Sequence, residues 1–170
     1  MGSLIPDIDK ETTIRKVRHF FQDENQYPKI RRNAWDDGVK SPVTDETGVR
    51  SSSQGNSSER MMIYYLECSQ AKKAVEGAIK ACSVKSIDIL KLRYCQGLFV
   101  WQVKERITHD LGHSTYSDAD KQACLEFADA CDRLGSQLHT DPDVLPKFVT
   151  FKDQEQNGNK LGTKREQIRK

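Results

Sequence analysis

Nine residues in the second half of the chain have the types and spacing to contact a polyanion: Arg93, Lys104, Arg106, Ser114, Thr115, Tyr116, Ser117, Lys121 and Gln122. Hydroxyl and amide groups hydrogen-bond base edges, whereas guanidinium and ammonium groups neutralise phosphates. If a helix begins at Ser114 or Thr115, the last six lie on its opening turns, the part of a recognition helix that meets base edges in a major groove. Tyr94 and Trp101, interleaved with them, and Phe127 beyond them are expected in the core.

Other chemistries find little support. His109 and His113 flank Asp110, but spacing suggests no third and fourth metal ligand. The five cysteines (Cys68, Cys82, Cys95, Cys124, Cys131) are odd in number and form no C-x-x-C pair, as expected of small apolar residues in a reducing compartment. No serine or cysteine has a suggestively placed base, and no glycine-rich phosphate loop occurs, so neither an enzyme nor a cofactor is expected.

These residues need helices to position them. Ser86 caps a helix carrying Ile87, Leu90 and Tyr94, or Ile89 and Leu92, inward, and Gly97 is placed to end it in left-handed conformation. Leu98 to Ile107 forms a short helix, Thr108 to Gly112 a turn, and Ser114 or Thr115 caps a long helix. On that last helix Cys124, Phe127, Ala128, Cys131 and Leu134 recur at intervals of three and four and are buried. Tyr116, Ser117, Asp118, Asp120, Lys121 and Gln122 take the opposite face. This order is that of a helix-turn-helix unit.

Upstream, Asp7 or Asp9 caps an amphipathic helix with Ile14, Val17, Phe20 and Phe21 on one side and Arg15, Lys16 and Arg18 on the other. Its apolar stripe must dock on the main domain or on a partner subunit. Pro28 halts the helix, and Lys29, Arg31 and Arg32 read as a basic linker or a phosphate-contacting arm. Asp36 to Ser58 has too few large apolar residues for a core. At Asn56 a capping box with Glu59 starts a long helix whose apolar face holds Met62, Ile63, Leu66, Ala74, Val75, Ala78, Ile79 and Cys82. That helix suits an intradomain core face or a dimer seam. Beyond Leu134 come a proline-broken stretch and the run Phe148 to Phe151.

The expected class is therefore all-α: a helix-turn-helix domain with a separate N-terminal amphipathic helix and a flexible linker. Its divisions are 1–35 (helix and basic segment), 36–57 (linker), 58–151 (helix-turn-helix domain) and 152–170 (basic disordered tail). Hydrophobic residues make up 36% and charged residues 31% of the 170, which fits one packed domain with appendages. Apolar runs fall short of the roughly 20 residues of a membrane span, and the first residues lack a signal-peptide core, so a cytoplasmic protein is expected.

Charge is uneven although the net is only +2. Lys10–Arg32 holds seven basic and three acidic residues, and Lys72–Arg106 eight and three. Asp110–Asp132 reverses this, with one basic and six acidic. Such asymmetry marks a surface with a charged partner.

Ile89 to Ile107, ILKLRYCQGLFVWQVKERI, resembles the C-terminal domains of sigma factors, in which an L-R-Y segment, a glycine turn and an E-R-L/I helix precede the recognition helix. Four further stretches extend the likeness: Asp9–Phe21, Gly55–Glu59, Ser114–Tyr116 and Ala123–Ala128. With them the chain is similar to ArpU-type phage late-gene transcriptional regulators over most of residues 5–151. The resemblance implies a phage or prophage protein, in the bacterial host cytoplasm, that binds double-stranded DNA near a late promoter and activates transcription, with host RNA polymerase as a further contact.

The chain departs from that pattern at Phe99, where serine or threonine usually caps, and at Lys104, where a small residue usually stands. Its Thr108–His113 turn is longer, and its last helix opens S-D-A-D-K, setting Asp118 and Asp120 toward phosphates. The acidic last helix keeps a second reading open, a protein-interaction module docking on a basic surface. A small-terminase-like DNA packaging factor is a third use of the same fold.

Overall fold

The computed structural model describes residues 7–34, 55–107 and 115–152. Among them the protein is all-α, with six α-helices, a π-helical segment and one isolated antiparallel bridge between Ile8 and Phe151.

Helix α1 spans Lys10–Gln22. Asp9 is its cap, accepting from the Thr12 amide at 3.1 Å and the Thr12 hydroxyl at 2.7 Å. The stripe of Ile14, Val17, Phe20 and Phe21 is buried, as its spacing predicts. Helix α2, Tyr27–Asn33, replaces the expected linker. Pro28 stands in its first turn, where the absent N–H is one that no helical carbonyl would have accepted. The basic residues there are held by the chain itself: Arg32 reaches Glu24 at 2.9 Å, Arg31 donates to the Cys95 carbonyl at 3.2 Å, and the Lys29 ammonium lies 5.8 Å from the Tyr64 ring centre.

Helix α3, Gly55–Ala81, begins a residue before the expected cap. Its C-terminal half buries Cys68, Ala71, Ala74, Val75, Ala78 and Ile79. Met62, Ile63 and Leu66, expected on the same buried face, are exposed instead; Met62 and Leu66 lie on the side of the helix opposite Tyr64 and Cys68.

Helix α4, Val84–Ile89, is capped by Ser83 rather than Ser86, and runs straight into the π segment Leu90–Cys95. Ser86 is buried instead, accepting from the Ser83 hydroxyl at 3.0 Å. Across this junction Ile89, Leu90 and Tyr94 are buried, residues from both alternative inward sets, while Ile87 and Leu92 are only partly buried. Gly97, at φ 70°, ends the segment in left-handed conformation as predicted. The Leu98 amide returns to the Leu92 carbonyl at 3.1 Å, one residue further back than in a Schellman turn that ends an α-helix.

Helix α5 is Val100–Arg106. Phe99 offers no capping acceptor, so Gln102 supplies half a capping box by accepting from the Phe99 amide at 2.9 Å. Trp101, expected in the core, is 60% exposed, and Phe99 65%. Only Val103 of this helix is fully buried.

Helix α6, Tyr116–Gln137, is the central strut against which α1, α3 and α4 pack. It buries Cys124, Phe127, Ala128 and Cys131, and Leu134 is half-buried with its Cδ1 3.2 Å from a Cβ built on Gly77. It ends in a Schellman motif, with the Thr140 amide on the Gly135 carbonyl at 3.0 Å and His139 in left-handed conformation at φ 51°.

The N-terminal helix is not a separate unit. Phe20, Phe21, Phe127 and Phe148 form one aromatic cluster, with ring centres 4.9 Å apart for Phe20–Phe148 and 5.0 Å for Phe21–Phe127. Residues beyond α6 wrap back to hold α1: the Asp132 carboxylate accepts from the Phe148 and Val149 amides, both at 2.8 Å. The Asp9 amide then donates to the Thr150 carbonyl at 2.8 Å. The stripe of α1 needed a partner, and α6 with the 145–151 segment supplies it.

Candidate nucleic-acid interface

A cleft opens where the first turn of α6 meets α5, the π segment and α1. Of the nine predicted site residues it gathers Arg93, Lys104, Thr115, Tyr116 and Ser117, and adds Arg18 and Gln22 from α1 and Asp120 from α6. Thr115 is the cap of α6: its hydroxyl donates to the Asp118 carboxylate at 2.7 Å and accepts from the Asp118 amide at 3.3 Å. Ser117 is exposed beside it.

Each cation has a definite setting. Arg93 donates to the Leu98 carbonyl at 2.7 Å, bracing the glycine turn while half-exposed. Lys104 is exposed, and its ammonium lies 5.7 Å from the Tyr116 ring centre. Tyr116 serves as that platform rather than as a hydrogen-bonding tip. Its hydroxyl is buried without a partner among the described residues, and burial, then the nearby Asp120 charge, pushes its pKa up to about 12. Lys121 lies in a neighbouring groove with Arg15, Arg18 and His19 of α1. Arg106 and Gln122 line neither cleft; Gln122 bonds Glu126 at 3.3 Å. Ser114, His109, Asp110 and His113 lie outside the described residues.

Asp120 is the main departure from the sequence reading. It is 6% exposed rather than presented to solvent. One carboxylate oxygen accepts from Arg18 at 2.6 Å and the other from the Tyr94 hydroxyl at 2.9 Å. Burial opposes the charge on Arg18, but the bonds to Asp120 and Tyr94 outweigh it and raise the guanidinium pKa. Burial foremost, with the Cys124 and Asp120 neighbours, raises the Tyr94 pKa and keeps the phenol a donor.

The other described carboxylates of the acidic stretch also have partners. Asp118 takes the Thr115 hydroxyl and Asp132 the two backbone amides. Glu126 accepts from the Ser83 amide at 2.9 Å, and Asp129 faces Arg133 at 3.6 Å. All five described carboxylates of this stretch therefore have partners within the chain, and two of them, Asp120 and Asp129, face cations. The α1 cations Arg15 and Arg18 are the functional candidates missed by reading from residue 93 onward. Their signal was the basic excess of Lys10–Arg32.

Among the described residues no group of three or more histidine, cysteine or carboxylate side chains could hold a metal ion. Compared with family models, curated proteins and solved structures, the chain matches none.

Proposed function

We propose that the chain is a sequence-specific double-stranded DNA-binding regulator, using α5 and α6 as a helix-turn-helix of the sigma-factor C-terminal kind. In this reading the opening of α6 meets base edges, with Ser117, Lys121 and Gln122 as readers. Lys104, Arg93, Arg106 and Arg15 of α1 hold the flanking phosphates. The observation that carries it is the withdrawal of Asp120 into contact with Arg18 and Tyr94, which leaves one acid fewer on the face that would meet phosphates. The likeness to ArpU-type late-gene activators supports the choice of transcription as the process, and phage late genes as the setting.

Selection of duplexes from a random pool tests the reading. Enrichment of one motif, bound at least about a thousandfold more tightly than bulk DNA, is the expected result. Recovery of no motif contradicts it. Asp118→Asn should hold or raise DNA affinity, since the substitution removes a charge near phosphates.

A second reading, contact with a protein such as host RNA polymerase or a DNA packaging component, draws on one feature: Phe99, Val100 and Trp101 are exposed together at the start of α5. Trp101→Ser should then reduce activation while leaving DNA affinity unchanged. Loss of both together argues against a separate protein contact.

A further inference from the structure

Two grooves meet along α1. The cleft at the opening of α6 and the neighbouring groove between α1 and α6 share Arg18 and Gln22, so the two run together across the surface. The second groove is lined by Glu11, Ile14, Arg15 and His19 of α1 and by Lys121 of α6. Helical spacing puts Glu11, Arg15, Arg18 and Gln22 on one face of α1, beside the buried stripe of Ile14, Val17 and Phe21.

The joined grooves are mainly cationic. Arg15, Arg18, Arg93, Lys104 and Lys121 line them against two carboxylates, Glu11 and Asp120. Asp120 is buried and bound to Arg18, which leaves Glu11 as the exposed acid among the described lining residues. Arg15 and Lys121 are exposed, and neither forms an ion pair among the described residues. Cations spread in this way from α5 across α6 to α1 match a chain of repeated negative charges better than a single small anion.

We propose that α1 is a third DNA-contacting element, in which Arg15 and the Gln22 amide hold the sugar–phosphate strand that runs on from the opening of α6. The contact rests on the DNA-binding reading of the chain and gives it a direction: the bound duplex extends past α6 toward α1. Glu11 stands one turn before Arg15 in the same groove and repels the strand, so it marks the end of the contact. Lys16, next to Arg15 in sequence, lines neither groove and serves as the control.

Anisotropy titrations of the full chain against a selected duplex, trimmed from one end and then from the other, test this. One end should tolerate less trimming than the other, and in Arg15→Ala that difference should disappear. Arg15→Ala should also lose about one unit of salt slope with its preference for the selected sequence unchanged, and Lys16→Ala about half a unit at most. Glu11→Gln should raise affinity about two- to fivefold. All three positions are exposed, so far-ultraviolet circular dichroism should not change. Sequence-selective binding that is indifferent to Arg15→Ala, or weakened equally by Lys16→Ala, overturns the α1 contact and leaves the helix-turn-helix reading standing. Two ends equally tolerant of trimming, or a lower affinity in Glu11→Gln, do the same. A chain that binds no duplex, or all duplexes alike, overturns that reading and the α1 contact with it.

Discussion

Asp120 shows what a single residue contributes and how far its role could be read. It stands four residues before Cys124, on the buried stripe of α6, so the helical period already placed it inward. Its charge suggested the opposite, and its partner Arg18 lies 102 residues away, beyond the reach of any local pattern. The pair is asymmetric: the Arg18 side chain is 40% exposed and that of Asp120 9%. Arg18→Leu strands a carboxylate in the interior and should cost about 2–3 kcal/mol, whereas Asp120→Asn leaves a guanidinium that water can reach and should cost about 1 kcal/mol. The double variant should be more stable than Arg18→Leu alone. Urea unfolding of the three variants measures this, and equal losses in both single variants would contradict the asymmetry. Tyr116→Phe removes a buried hydroxyl that has no partner among the described residues, so stability should stay level or rise by up to about 1 kcal/mol. The ring under Lys104 is retained, so DNA affinity should not change.

Elements were legible where residue chemistry sets the backbone. Gly97 after L-R-Y-C-Q marks a left-handed end, and φ is 70° there. A Cβ at Gly97 would meet nothing within 4 Å, so Gly97→Ala should cost about 1–2 kcal/mol through backbone conformation alone. His139 holds the equivalent position after α6 at φ 51°, and His139→Gly should stabilise by about 0.5–1 kcal/mol. Thermal unfolding of both variants checks the pair, with shifts in opposite directions expected. The π segment was not legible, because a one-residue widening leaves the residue types of an ordinary helix unchanged. Pro28 misled for a related reason: proline excludes a helix interior but suits a helix start, and only the following turn distinguishes the two.

On the scale of the whole molecule, α1 is part of the core instead of a separate unit. Its amphipathic face was readable, but the choice between the main domain and a partner subunit depended on Phe127 and Phe148, more than a hundred residues downstream. Phe20→Ala should therefore cost about 3–5 kcal/mol, and removal of α1 should abolish cooperative unfolding of the remainder. This packing also brings Arg15 beside Lys121 of α6, while Arg18 is taken up by Asp120. The most direct test of the DNA-binding reading is a fluorescence anisotropy titration of a selected duplex and its scrambled counterpart across salt concentrations. Binding that weakens steeply with salt, keeps its preference for the selected duplex, and loses about one unit of salt slope in Lys104→Ala is the predicted result. Absence of binding at low salt, or equal affinity for both duplexes, would contradict it.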